Sequence, residues 1–444
     1  MFRKYYIFLL SLLLATPILA QEQINLDQCI EIALRNNPAL RIKATDLRIA
    51  GEETGQSGKD FLPSLGFSGS YRRQSTVPQI EFPAISSPFG GAPISLFPSN
   101  GLQLGSLDTY DFKLTVQQPL FTGFRLKNRK RAAEAQEKGK QHDLARAKSE
   151  LIFNVEKAYA NVLKAQKLLK IAKTGSEQVD AHLQDVQNYV AQGMARKAEL
   201  LAAKVKAAEA ELAVVRAENG VRLAVAALEN ILGSDLKNNT NFADVDLAVS
   251  PQAEIETSVQ LALNNREEIK SLNLSLQAAN TAVKIVRGSR LPAMSAFASY
   301  GYGRPGLNFI KNEWMDYWIV GVGVNWELWN WGKTKSKIEQ EKLTTNSVVD
   351  ALQQARRAIK LQVTQACLSL QEAKKRMQLS AEIEKQAAES FRVTEENYKQ
   401  GQATNAEYLD AQLELTRARL QKAEAEIDYF IGYANWKRAV GKSE

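Results

Sequence analysis

Two histidines and two cysteines are all that 444 residues offer as imidazole or thiol groups for metal binding, thiol chemistry or disulfide pairing. Cys29 and Cys367 both fall in helical patterns and read as buried thiols, not as a disulfide framework. His142 and His182 also lie on helical stretches, without metal-ligand spacing, and read as exposed or interfacial polar side chains. Glycines stand at turns and in strands, with no loop built to cradle a phosphate, and no nucleophile is paired with a base. The chain is therefore not read as an enzyme, and no cofactor or metal is expected. Long apolar runs are missing too. After the first twenty residues none reaches the roughly 18 that a membrane-crossing helix needs, so any membrane segment must be built of strands. The formal net charge of +8 is spread along amphipathic helices, with no basic stripe interleaved with aromatics, which excludes a nucleic-acid partner.

What the chain does have begins with MFRKYYIFLLSLLLATPILA. Arg3 and Lys4 precede an apolar core from Ile7 to Ala15, and Ala20 suits a cleavage site, so residues 1–20 read as a secretory signal. Its loss takes the formal charge from +8 to +6, and no cysteine follows it to carry a lipid. Residues 24–57 then show helical spacing, interrupted at Pro38. The period changes to two at Leu65, Phe67, Gly69 and Tyr71, and again at Tyr110, Phe112, Leu114 and Val116, with a Pro/Gly/Ser-rich loop over 72–106 between them. Such alternation, one face apolar and one polar, suits a strand between lipid and a lumen.

From Phe124 to Tyr189 no proline interrupts the helical pattern. Leu144, Leu151, Val155, Ala158, Val162, Ala165, Leu169 and Ala172 fall on three- and four-residue steps, a coiled-coil seam. At 1.5 Å per residue this helix is about 100 Å long. Gly193 breaks it, and a return helix runs to Leu232, with Gly233 at its end.

The whole cycle then recurs. ALRNNPAL at Ala33–Leu40 aligns with ALNNREEI at Ala262–Ile269, 229 residues on. QGMARKAELLAAKVKAAEAEL at Gln192–Leu212 aligns with QGQATNAEYLDAQLELTRARL at Gln400–Leu420, 208 residues on, and the seam repeats at the same offset as Leu352, Ile359, Val363, Ala366, Leu370, Ala373 and Met377. Self-similarity of this kind marks a duplicated unit. The predicted organisation is a signal over 1–20, a first repeat over 21–255 and a second over 256–444. Strands are predicted at about 61–72, 108–119, 291–303 and 317–329, and helical hairpins over 124–232 and 333–441. By length, the helix over 256–288 continues the return leg that ends at Gly233, and the N-terminal helix 24–57 caps the return leg of the second hairpin. Four strands cannot close a barrel, since the smallest bacterial membrane barrels have about eight, and open edges are not tolerated in hydrocarbon. Several chains sharing one barrel resolves this.

The signal, the duplicated helix–strand–strand–hairpin unit, the Leu62-Pro63 and Leu291-Pro292 pairs before the first strand of each half and the Gly-centred tips together resemble the outer-membrane efflux proteins, the TolC-like outer membrane factors. The resemblance covers essentially all of the mature chain. It implies a mainly α fold with a membrane β-barrel: duplicated long hairpins forming a periplasmic α-barrel, and four strands per chain contributing to a twelve-stranded outer-membrane barrel shared by a homotrimer. It also implies an exit duct that meets a periplasmic adaptor and an inner-membrane pump of RND, ABC or MFS type, with outer-membrane lipid around the barrel. In such proteins acids just after the second tip form the narrowest ring, and the matching positions here are Glu407 and Asp410. Of the tip latch, Glu199 matches an acidic partner and Tyr398 an aromatic one. Ala403 stands where the family has a base, and Arg196, after the first tip, is the substitute candidate. Gly193 and Gly401 are the tip turns. The competing reading is a periplasmic coiled-coil adaptor or scaffold without a barrel, which the duplicated plan fits poorly.

Overall fold

The computed structural model describes residues 23–81, 90, 102–237, 240–245, 253–308 and 310–442. The stretch 1–20 that is expected to be a signal, most of the Pro/Gly/Ser-rich stretch and part of the link between the repeats lie outside the described residues. In chain order, a two-residue strand β1 (Gln23–Ile24) leads into α1 (Leu26–Asn36) and α2 (Pro38–Lys59). Strand β2 (Ser64–Arg73), the short β3 (Gln79–Ile80) and β4 (Leu102–Gln103), and β5 (Asp108–Phe121) follow. The first hairpin is α3 (Arg125–Ala191) with α4 (Lys197–Leu232). After β6 (Asn241–Phe242) come α5 (Ile255–Asn265), α6 (Glu267–Gly288), β7 (Ala293–Arg304), β8 (Met315–Asn325) and the second hairpin, α7 (Lys333–Lys399) with α8 (Asn405–Val440). Among the described residues no helix is long and apolar enough to cross a membrane.

The chain forms two compact units, neither of which is a repeat. The first takes Met1–Thr45, Asp143–Ile269 and Gln354–Glu444, and the second Asp46–His142 and Lys270–Gln353. In the first unit the coiled-coil seam is buried: Val155, Val162 and Val363 are fully inaccessible, and Ile359, Ala366 and Leu370 nearly so. Cys29 packs into the core with Ala33, Val155, Tyr159, Leu228 and Ile427, and both cysteines are free and buried. The Tyr159 hydroxyl, inside this core, donates to the carbonyls of Ile24 and Ala243. It thereby ties down the parallel β1–β6 pair.

The stacking of the shorter helices differs from the length-based expectation. α1 docks on the end of α4, and α5 on the end of α8; the reverse pairing was predicted. Length fits both arrangements, and in the observed one polar groups meet the helix ends. Asn37, in the break before Pro38, donates its side-chain amide to the Ile231 carbonyl at 2.9 Å, satisfying an acceptor that the helix end leaves open. Gly233, left-handed at φ 70°, lies so close to Asn36 that a Cβ would stand 3.0 Å from its carbonyl oxygen. The second half repeats the arrangement with Gly441 against Asn265 and Arg266. The indole N–H of Trp436 also donates to the Ser258 hydroxyl there.

The second unit is built on one antiparallel sheet in the order β2-β5-β7-β8. Its register places Leu65, Val116, Ala298 and Val320 in one cross-strand row, and Phe67, Leu114, Tyr300 and Trp318 in another on the same face. The alternate rows read Gly66, Thr115, Ser299, Ile319 and Ser68, Lys113, Gly301, Tyr317. Successive side chains point to opposite faces, so most apolar residues of the four strands gather on one side, Ile319 and Phe297 being exceptions. That side is exposed: Phe67 is 73% accessible, Trp318 74% and Val320 67%. On the polar face Tyr317 crosses over Gly301, where a Cβ would meet its ring, and its hydroxyl donates to Asp111 at 3.1 Å. The fourth strand ends at Asn325, not at Trp329 as the alternation predicted. Asn325 pairs with Ala293, and the next partner would be Pro292, which has no N–H to give.

Candidate functional site

The two tips are built alike, for a local reason. Each long helix ends in a left-handed glycine, Gly193 at φ 76° and Gly401 at φ 72°. In the first tip Gly193 N–H donates to Val190 and Met194 N–H to Tyr189; in the second Gly401 donates to Tyr398 and Gln402 to Asn397. These bonds satisfy the carbonyls left open at the helix ends, and glycine takes that conformation without a Cβ penalty.

The return helices start differently. Thr404 caps α8 and accepts from Glu407 N–H, while the Glu407 carboxylate accepts from Thr404 N–H at 2.7 Å, a reciprocal capping box. These bonds hold the Glu407 carboxyl below the ordinary carboxylate range. Arg196 occupies the equivalent cap of α4 and makes no side-chain cap bond. Glu407 is thus fixed at the mouth of the tip as an ionised group, and Asp410 stands exposed one turn further along α8. Asp410 also borders a cavity of about 210 Å³ among α3, α4 and α8, whose walls include Gly175, Ala210 and Gln412.

Of the three latch candidates, the structure brings two together. Glu199 and Tyr398 line one cleft of about 690 Å³ between the tips, with Tyr189 and Asn405. Burial raises the Tyr398 phenol, and the negative charge of Glu199 adds to it. Arg196 is exposed and is not part of that cleft.

One bond that joins the two hairpins near the tips has no counterpart in the expectations from sequence. Of the two expected settings for His182, on α3, the structure shows the interfacial one: it is 3% accessible. Its Nε2 lies 2.6 Å from Asn405 Oδ1 at the start of α8, so the ring nitrogen donates and the amide oxygen accepts. Its ring stacks on Tyr408 at 4.1 Å between centroids, with Tyr398 5.2 Å away on a tilted plane. Phe391 backs Tyr408. Burial lowers the His182 imidazole below its usual value, against the opposing pull of the Asn405 bond and of Asp185. Burial likewise pushes Tyr408 up to about 12. A signal for His182 was present: the seam that ends at Ala172 continues in three- and four-residue steps through Gly175, Val179, His182 and Val186. Further along, the α3–α8 contact carries Lys167–Glu426 at 3.0 Å and Lys437–Glu156 at 2.7 Å.

This combination of tips, hairpins and a one-faced apolar sheet has counterparts. The family model described as "Outer membrane efflux protein" matches residues 29–234 and 258–442. Outer membrane protein TolC of Vibrio cholerae is 23% identical over 318 residues, 69% of this chain and 72% of that protein. Outer membrane protein TolC of Escherichia coli is 22% identical over 429 residues, 94% of this chain and 82% of its own. The crystal structure of the outer membrane protein VceC from Vibrio cholerae superposes with a TM-score of 0.75 at 18% identity, covering 94% of this chain and 96% of that one. The family match takes in both halves of the duplicated plan, and the chain belongs to the outer membrane efflux protein family.

Proposed function

We propose that three copies of this chain form an outer-membrane exit duct whose periplasmic mouth is the pair of tips, with Glu407 and Asp410 as its charged ring. The duct receives substrate from an inner-membrane pump of RND, ABC or MFS type through a periplasmic adaptor, and serves efflux or type I secretion without catalysing a reaction. The observation that carries this reading is the sheet. Four strands present one continuous apolar face to the outside, and among the described residues β2 and β8 each pair on one side only. A sheet with two open edges cannot stand in hydrocarbon alone, whereas three such sheets joined edge to edge close a barrel with none. The adaptor-like alternative has no use for an exposed apolar sheet of this extent.

At the mouth, the capping box keeps the Glu407 carboxylate ionised and in a fixed place. Threefold assembly would set three Glu407 and three Asp410 side chains around one axis, a ring that attracts cations and repels anions. The test is planar-bilayer conductance of the detergent-extracted protein, with native mass spectrometry establishing its assembly. A trimer with cation-selective conductance is expected, and Glu407→Gln with Asp410→Asn should move the reversal potential toward zero. A water-soluble monomer would refute the duct, and unchanged selectivity would refute the ring.

A further inference from the structure

We propose that the cavity where α8 ends against the break between α5 and α6 binds a phosphate-type oxyanion. It measures about 450 Å³ and is lined by Arg146, Arg266, Arg438 and Lys442. Its carboxylates are Glu150, Glu267 and Glu268, so four cations face three anions. The imbalance is local: the three arginines are half-buried, while Lys442 and Glu150 are exposed at the rim. The Nε atoms of Arg146 and Arg438 are out of contact with solvent and have no hydrogen-bond partner. Arg438 gives one N–H to Asn435 Oδ1 and lays its guanidinium over the Phe153 ring at 4.8 Å, neither of which supplies counter-charge. Arg266, with 11% of its side chain accessible, donates to Gln362 and stands 3.7 Å from Glu268. Burial lowers its affinity for a proton; the carboxylates of Glu268 and Glu150 oppose that, and the neighbouring Arg438 and Arg146 add to it. Guanidinium groups partly withdrawn from water, with N–H groups left unpaired and one cation in excess, favour a ligand that brings both charge and acceptors. A water molecule in the cavity supplies only the second. A tetrahedral oxyanion supplies both, and planar guanidinium forks match its oxygens.

The duplication gives an internal control. The same helix-end junction is built in the first half, where Asn37 stands in place of Arg266, Asn230 in place of Arg438 and Ser234 in place of Lys442. That junction holds with a neutral amide bonded to a helix-end carbonyl. Stacking α5 on α8 therefore does not require the cations, and a ligand accounts for their presence at one junction only.

The proposal is independent of the duct reading and is tested on the assembled, detergent-extracted protein. Isothermal titration with inorganic phosphate, at ionic strength held constant with chloride, is expected to show saturable binding with one site per chain. Arg146→Gln with Arg438→Gln should weaken it at least tenfold while native mass spectrometry shows the same assembly. Glu150→Gln, which removes a competing carboxylate, should tighten binding severalfold. Absence of saturable heat in the unaltered protein would overturn the proposal. So would phosphate binding that neither variant changes. Should the double arginine variant fail to assemble, Glu150→Gln decides, and phosphate binding that it leaves unchanged would refute the oxyanion site.

Discussion

A second proton on the His182 imidazole would place a charge against the faces of Tyr398 and Tyr408, in a site with 3% accessibility. The folded tip therefore holds the ring neutral, below its ordinary value of 6.5. The unfolded or opened tip binds that proton more readily, so the contribution of His182 is complete above about pH 6.5 and is lost as the pH falls below it. The acidic groups near the cluster are Asp185 on α3, Glu199 on α4 and Glu395 on α7. Channel opening, followed by conductance between pH 7.5 and pH 5.5, is expected to rise on acidification. His182→Phe keeps a ring in the stack but leaves Asn405 Oδ1 without its donor, at a cost of about 1–3 kcal/mol. It should open more readily at neutral pH and lose the response to acid. A variant with the unaltered pH response would refute the tie.

At the scale of the element, two glycines with different reasons for being glycine predict different losses. Gly401 sits at φ 72° with no heavy atom within 4 Å of a would-be Cβ, so Gly401→Ala carries backbone strain alone, about 1–2 kcal/mol. At Gly301 the obstacle is the ring of Tyr317, which must leave its place and release its bond to Asp111. Thermal unfolding of the extracted protein should show a modest loss for Gly401→Ala and a larger one for Gly301→Ala. Adding Tyr317→Ser to Gly301→Ala should recover the part due to the clash. These elements also show what a sequence discloses. The glycine turns, the seam and the alternating strands are written in short windows, because each depends on local conformation and period. Even the capping box was legible in Thr404-Asn405-Ala406-Glu407. The choice of α1 for α4 was not, since two helix pairs of similar length compete and the contacts that join this one, such as the amide bond across 194 residues, lie outside any local window. The burial of His182 lay between these cases: its seam position was written in the chain, but its partner Asn405 lies 223 residues away.

For the whole molecule, the sheet decides where the protein can reside. The row Leu65, Val116, Ala298, Val320 runs through the middle of the apolar face, and the row beside it, Gly66, Thr115, Ser299, Ile319, belongs to the other face. If the apolar face meets lipid and the other meets water, one substitution made on each face should have opposite outcomes. Lysine on the lipid face at mid-membrane depth costs about 2–4 kcal/mol, and a trimer meets that cost three times. Val320→Lys is therefore expected to lower the yield of heat-stable trimer recovered from outer membranes severely. Thr115→Lys, one position round on the paired β5 and next in the chain to Val116, should assemble normally and shift only conductance. Equal tolerance of both lysines would mean that the apolar face is covered by protein, and the shared barrel would fall with it. Sensitivity at Thr115 with tolerance at Val320 would reverse the assignment of lipid and lumen. The predicted asymmetry follows from a register of paired residues, so it tests the membrane barrel without depending on the tips, the gate acids or the identity of the cargo.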